Sequence, residues 1–271
     1  MRGTQRRWFS ISFTLLCLAL TAGLLQFVRD RLGDESTFTG WTLLSATAGL
    51  YLLTARKKMI RQRLGPVAGW LQMHMYMGVF ASCVFLMHIG WPIRGIFETA
   101  LASAFVFVAV SGILLGVISR TTPMRLAAIK QDFPYERIPQ MQLAVATDAH
   151  EVALDSTAFD EGATLSEYYQ RRLLPYFQTR RGFFYVMFPT GGKRRALLRE
   201  LADLDRYLGE YGVGSRKHLA KMVQAKDDLD YHQALQKRLQ LMFMAHVALT
   251  WALAILIGVH VVMVYRFQGF M

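Results

Sequence analysis

Four of the seven histidines in this chain lie inside apolar runs, where a titratable side chain is unfavourable. His74 and His88 begin and end the segment HMYMGVFASCVFLMH, and His246 and His260 begin and end HVALTWALAILIGVH. The spacing is fourteen residues in both segments. A lone histidine in such a run commonly forms a hydrogen bond to a neighbouring helix, whereas two matched pairs indicate a binding site.

Helix geometry predicts what the two segments can bind. Fourteen residues make about 3.9 helical turns, so both histidines of a segment share one helix face, about 21 Å apart along the axis. Two such helices running in the same direction bring His74 to the depth of His246, and His88 to the depth of His260. Each pair can supply both axial nitrogens to one haem, which predicts two bis-histidine haems at two depths. Zinc fits less well, because it usually takes three or four protein ligands and no carboxylate or cysteine lies nearby.

Small and basic residues near the histidines are candidates for the rest of this cofactor site. Gly78 follows His74 by one turn and Gly258 precedes His260 by two residues, which leaves room for a porphyrin between helices. Two further small residues, Ala81 and Ser82, lie between His74 and His88. The neighbouring predicted spans add Gly49, Gly112 and Gly116. For the haem propionates the sequence offers Arg94 on the outer side, and the basic loop 56–63 or Lys237 and Arg238 on the inner side.

The histidine segments belong to a chain that is apolar over much of its length. Of its 271 residues, 53% are hydrophobic, and the mean hydropathy is +0.25. Because a bilayer crossing needs about 20 mainly apolar residues, we predict five crossings. They are 8–28, 38–55, 67–91, 98–119 and 239–265, of which the second is the weakest because it is short and rich in Thr, Ser and Gly. The first is predicted to be a retained span, since its apolar run is longer than that of a signal peptide.

The net charge of +12 is unevenly distributed, and this predicts the topology. The loop RKKMIRQR at 56–63 holds five basic residues and no acidic one, and basic loops accumulate on the cytoplasmic side. The N-terminus, this loop and the segment after the fourth span are therefore predicted to be cytoplasmic and the C-terminus external. We expect an integral protein of a bacterial inner membrane, and we expect no nucleic-acid binding.

Residues 120–238 form a soluble insert that separates the fourth span from the fifth. The predicted organisation is therefore 1–119 as transmembrane helices, 120–238 as a cytoplasmic insert, and 239–271 as the last span and tail. Weak alternation predicts strands at 143–147 and 151–155, and an aromatic run predicts another at 182–188. Helical patterns cover 164–175, 193–212 and a last helix from 215 into the fifth span. The predicted fold is an all-α membrane bundle with a four-helix di-haem core and a small α+β insert.

The pattern H-x13-H on two parallel spans resembles two known families. It is similar to the cytochrome b of quinol-oxidising complexes, and to the membrane domain of ferric reductases and NADPH oxidases. The resemblance covers roughly residues 38–267, and it implies the ligand role for His74, His88, His246 and His260 alone. The chain departs from both families in its five spans, its large insert, and its lack of a P-E-W-Y motif or a following flavin or NADPH domain.

These observations predict a di-haem b-type cytochrome that conducts electrons across the bilayer. It would be one subunit of a larger redox complex, with quinone, a cytochrome c or an iron–sulfur protein as partners, and no catalytic residue is assigned. One alternative is a transmembrane reductase that depends on a separate flavoprotein. Two further alternatives bind no cofactor: a proton or cation transporter with a histidine relay, and a scaffold subunit in which the insert binds the partner.

Overall fold

The chain folds as two compact helical units. The computed structural model describes residues 2–31, 33–58, 67–90, 92–93, 95–127, 133–158 and 162–268. The first unit comprises Met1–Gly116 with Ala245–Met271, and the second comprises Val117–Met244. The α-helices are α1 Arg2–Asp30, α2 Glu35–Lys58, α3 Val67–His88, α4 Ile96–Ala127, α5 Ile138–Ser156, α6 Gly162–Tyr168, α7 Leu174–Gln178, α8 Phe183–Met187, α9 Gly192–Asp203 and α10 Glu210–Gln268.

Within the described residues, four helices are long and apolar enough to cross a membrane, namely α1, α3, α4 and α10. Their large apolar side chains point away from the protein. Leu86 on α3 is 72% exposed, and Ile113 on α4 and Ile255 on α10 are each 67% exposed. Such a surface is unfavourable in water and suits lipid, so these helices indicate an integral membrane protein.

Helix α2 covers the weakest of the five predicted crossings, and it is not among those four. Two of its polar residues, Thr39 and Thr47, are turned inward and buried. The Thr39 hydroxyl donates to the carbonyl of Glu35, and the Thr47 hydroxyl donates to that of Leu43, so the helix satisfies them itself. Helix α2 packs closely along α3, where a Cβ added at Gly49 would lie within 2.6 Å of a sulfur atom on α3.

The second unit is all-α in its described residues, so the prediction of an α+β insert is wrong. Residues 143–147 and 151–155 both lie within α5, and most of 182–188 lies in α8. A single π-helical turn, Tyr169–Leu173, links α6 to α7. The helical prediction for 164–175 is confirmed by this stretch. The prediction that one helix runs from the insert into the fifth span is confirmed by α10.

The two strand predictions in α5 failed because short alternation does not distinguish a strand from a helix. Pro139 stands in the first turn of α5, where its fixed φ favours a helix start. Ala149, Ala153 and Ser156 are buried, and their spacing is that of a helix face. The alanine-rich composition also favours a helix. This face packs into a core built from α5, α6, α7, α9 and α10.

A buried ionic cluster ties the segment after α7 to α10. The Arg181 guanidinium donates to Asp227 at 2.9 Å and to Asp230 at 2.7 Å, and both carboxylates are almost inaccessible. Lys226 donates to the same Asp230 oxygen at 2.7 Å. Burial, followed by the charge of Asp227, raises the pKa of the Tyr176 phenol, which therefore stays protonated and donates to the carbonyl of Val223.

The variant Asp230→Ala should destabilise the second unit by about 3 kcal/mol, because it leaves Arg181 and Lys226 as buried charges with one partner fewer. Urea unfolding of the detergent-solubilised protein, followed by proteolysis of the insert, measures the loss. Glu167→Ala is the matched control, since it removes a salt bridge whose partners are 60% and 77% exposed and should change stability by less than about 0.5 kcal/mol. Equal losses in the two variants would contradict a structural role for the buried cluster.

Candidate functional site

The four apolar-segment histidines lie on two helices of the first unit. His74 and His88 are on α3, and His246 and His260 are on α10. The helix is uninterrupted between the two histidines that it carries, both in α3 and in α10. The fourteen-residue spacing therefore places the two side chains of each helix on the same helix face. All four rings are half-buried.

Contacts with α2 show that α3 and α10 run in the same direction. On α3, His88 lies against Thr39 and His74 lies against Leu50, so α2 and α3 are antiparallel. On α10, the Tyr265 ring lies 6.3 Å from that of Trp41, and the carbonyl of Thr250 accepts from the Tyr51 hydroxyl at 2.8 Å. Helix α10 is therefore also antiparallel to α2, and hence parallel to α3.

The same contacts place the histidines at two depths. His74 and His246 lie near the level of Leu50 and Tyr51, because His246 is one turn before Thr250. His88 lies at the level of Thr39, and His260 lies beside it, with ring centroids 6.5 Å apart and ring planes at 86°. The Phe97 ring on α4 lies 6.3 Å from His260 and nearly parallel to it, which restricts the imidazole on that side.

The separation of His88 and His260 fits ligation of one metal from opposite sides. A metal–imidazole bond is about 2.0 Å long and the ring nitrogen lies ~1.1 Å from the ring centroid, so two such ligands have centroids about 6.2 Å apart. The observed 6.5 Å is close to that value. Within the described ranges, no group of three or more His, Cys, Asp or Glu side chains could hold a metal ion. Two imidazoles at this separation could hold a metal whose other ligands come from a macrocycle.

A hydroxyl on α2 assigns the tautomer of His88. Thr39 Oγ1 lies 3.0 Å from His88 Nδ1 and 2.8 Å from the carbonyl oxygen of Glu35. A hydroxyl has one proton, and we assign it to the carbonyl, because the helix geometry directs it there. Nδ1 of His88 must then be the donor to Thr39. The other nitrogen, Nε2, keeps its lone pair for a metal.

The same arrangement recurs at His246 on the opposite side of the unit. Ser111 Oγ on α4 lies 2.9 Å from His246 Nδ1 and donates to the carbonyl of Val108 at 2.9 Å. At His74, Nδ1 lies 3.2 Å from the carbonyl oxygen of Leu50, an acceptor without a proton. Nδ1 is therefore protonated in three of the four histidines, which leaves Nε2 as the nitrogen available for a metal.

Glycines provide the space for two of these rings. A Cβ added at Gly40, next to Thr39, would lie 3.1 Å from Cε1 of His88. A Cβ added at Gly112, next to Ser111, would lie 3.2 Å from Cε1 of His246. Each hydroxyl–glycine pair thus forms a seat that both binds Nδ1 and admits the imidazole ring. A side chain at either glycine would fill that seat.

The other residues predicted for the cofactor site are two glycines, Arg94 and the basic loop 56–63. A Cβ added at Gly78 or Gly258 would meet no described atom within 4 Å, so both positions border open space. Arg94 lies outside the described residues, and so do the side chains of the basic loop 56–63. Sequence reasoning missed Thr39, Gly40 and Ser111. The dipeptides Thr39-Gly40 and Ser111-Gly112, each within a predicted span, were the sequence feature that could have indicated these residues.

An apolar cleft lies at the His88 end of α3, between α3 and α4. Its volume is about 560 Å³, and its walls include Phe85, Ile89, Ala102, Ser103 and Val106. The Phe85 ring also stacks on Phe105 with centroids 4.2 Å apart. A cleft of this size and polarity can hold an apolar molecule with a few polar atoms.

No protein-family model, curated protein sequence or solved structure matches the chain.

Gly40→Ala and Gly112→Ala should each lower the stability of the protein by about 1 kcal/mol relative to Gly116→Ala, because the added methyl group displaces an imidazole ring by a few tenths of an ångström. Thermal unfolding in detergent measures the change. Gly116→Ala is the matched control on α4, since its Cβ would meet no described atom within 4 Å, and alanine is the better helix former. The control should therefore be neutral or slightly stabilising, and three equal effects would rule out the two seats.

Proposed function

We propose that this protein is a di-haem b-type membrane cytochrome that carries electrons between the two membrane surfaces. His88 and His260 would ligate one haem, and His74 and His246 the other. The observation that carries the proposal is the His88–His260 pair, with ring centroids 6.5 Å apart and with Nδ1 of His88 held by Thr39. The open space at Gly78 supports it, because Gly78 lies one turn from His74 on the same face of α3 and a macrocycle needs room there. Gly258 is exposed and lies on a different face of α10 from His260, so its open space adds no support.

Two haems would supply one-electron redox centres separated by about 21 Å along the helix axis. The chain's own residues hold and orient the ligands. Thr39, Ser111 and the carbonyl of Leu50 accept hydrogen bonds from imidazole Nδ1 atoms, which increases the electron donation of Nε2 and lowers a haem potential. The apolar faces of α3, α4 and α10 exclude water from the site.

The hydrogen bonds also weigh against a histidine relay for protons. A relay histidine must exchange protons at both ring nitrogens, and it usually works with intramembrane carboxylates. Here Nδ1 is engaged in three of the four rings, and the apolar stretches that carry the histidines contain no acidic residue.

The proposed topology follows the positive-inside rule. Helix α2 would accompany α1, α3, α4 and α10 across the bilayer, with the second unit in the cytoplasm of a bacterium. If α2 did not cross the bilayer, α3 and α10 would still cross it in the same direction, because α4 is the one predicted crossing between them along the chain. Quinone is the proposed partner at the His88 end, where the apolar cleft lies. A cytochrome c, an iron–sulfur protein or a flavoprotein would complete the electron path.

The purified protein should contain two low-spin b haems per chain, measured by reduced-minus-oxidised spectra and the pyridine haemochrome. His88→Ala and His260→Ala should each remove the same haem, and His74→Ala and His246→Ala should each remove the other. The double variant His74→Ala with His246→Ala should therefore lose no more haem than either single variant. His150→Ala, on α5 of the second unit, is the control and should keep both. A colourless protein would refute the proposal.

Thr39→Val should raise the midpoint potential of only one haem, that of His88, by tens of millivolts. Ser111→Ala should do the same to only the haem of His246. The physical reason is that an imidazole without an Nδ1 acceptor is a weaker donor to iron. A potentiometric titration followed optically resolves the two centres. Thr47→Val is the control, because its hydroxyl bonds only to carbonyl groups of α2. Shifts of both potentials by either variant would contradict the assignment of one hydroxyl to each pair.

A further inference from the structure

Helix α8 and the residue that follows it carry three exposed phenylalanines within six residues. Phe183 is 65% exposed, Phe184 is 84% exposed, and Phe188, which follows the helix, is 74% exposed. The opposite side of α8 is anchored, because Val186 is buried at 6% exposure. Single exposed apolar residues are ordinary, whereas a cluster of large aromatic rings on one short segment marks an interaction surface. We call these three residues the aromatic patch.

A contact with α10 fixes the level of the aromatic patch. Arg238 donates from Nη1 to the carbonyl oxygen of Met187, the last residue of α8, at 3.3 Å. Arg238 directly precedes the apolar segment 239–265 of the same helix. The aromatic patch therefore lies where α10 changes from a polar helix to one apolar enough to cross a membrane. This is the level of the lipid headgroups.

The charges beside the patch are those that an anionic headgroup requires. Burial, followed by the positive charge of Arg125 at the end of α4, lowers the pKa of the Arg238 guanidinium. Within the described part of the chain, the buried Nε of Arg238 has no hydrogen-bond partner. Two cations that repel each other, with an unsatisfied N–H group between α8 and the apolar segment, suit a phosphate oxygen.

We propose that the aromatic patch inserts into the headgroup region of the membrane that α10 crosses, with an anionic lipid phosphate bound at Arg238 and Arg125. The second unit is then held on the membrane surface at a second point besides its helical connections. Aromatic rings at this depth bury their faces against acyl chains while the neighbouring arginines meet the phosphates. The proposal rests on the level of α8 and on the spanning of α10, and it is independent of haem.

Spin labelling of the full-length protein tests the insertion. The label is placed by Phe184→Cys in a chain whose own cysteines, Cys17 and Cys83, are replaced by alanine, and the protein is reconstituted in vesicles of phosphatidylethanolamine and phosphatidylglycerol. Power-saturation measurements compare collisions with oxygen, which concentrates in lipid, and with a nickel chelate, which stays in water. Tyr207→Cys is the matched control, an aromatic residue of the second unit that is 66% exposed and precedes the start of α10. The first residue of α10, Glu210, lies about 42 Å from Arg238 by helix rise.

The label at position 184 should collide more often with oxygen than with the nickel chelate. The label at position 207 should collide more often with the nickel chelate. A second label, introduced by Phe188→Cys, should agree with the first and guards against a local distortion by either substitution. Nickel accessibility at 184 and 188 equal to that at 207 would overturn the proposal and assign the patch to a protein partner instead. In vesicles of phosphatidylcholine alone, both labels should move toward water. If they do not, the bound anionic phosphate is refuted and insertion of the rings stands by itself.

Discussion

An imidazole inside an apolar helical bundle must have both of its nitrogens satisfied, and this constraint organises the first unit. In water the solvent would bind either nitrogen at little cost, whereas hydrocarbon offers no partner. Helices α2 and α4 meet the requirement at Nδ1 with a threonine, a serine and one backbone carbonyl. What remains at each of these three rings is Nε2, a nitrogen with a lone pair and no proton. A haem iron is the partner that we propose for that atom.

The same constraint explains the composition of α2. A threonine in a membrane helix is tolerated when its hydroxyl donates to a carbonyl of the preceding turn, as Thr39 and Thr47 do. That donation leaves an oxygen lone pair, and at Thr39 the lone pair receives the Nδ1 proton of His88. Thr39, one of the residues that lower the hydropathy of α2, is thus also a residue through which α2 contacts α3. Helix α2 is less apolar than the four helices that could cross a membrane, and Thr39 nevertheless packs its hydroxyl against one of them, α3.

The histidine pairs could be predicted from the sequence because the rise and pitch of a helix are constant, so a spacing of fourteen residues has one geometric meaning. The hydrogen bonds of these histidines could not be predicted from the sequence. Thr39 and His88 are separated by 49 positions and Ser111 and His246 by 135, and only helix packing brings them together. The strand predictions in the second unit were wrong for a different reason. Five residues of weak alternation fit a strand or a helix equally well. In α5, Pro139 in the first turn and a buried face of alanines favour the helix.

The two units solve the problem of buried polar groups in different ways. In the second unit, Arg181 and Lys226 are buried against Asp227 and Asp230, so the chain supplies charges of both signs and each one compensates another. The histidine pairs have no such carboxylate. A neutral imidazole whose Nδ1 is engaged presents only a lone pair at Nε2, so His74 and His246 present two lone pairs and no proton for a hydrogen bond between them. At the other depth this holds for His88. A proton shared by His74 and His246 would leave a charge in hydrocarbon, whereas a haem iron would accept both lone pairs with its charge offset by the porphyrin. This is why we propose haem, rather than a proton, as the partner of these nitrogens.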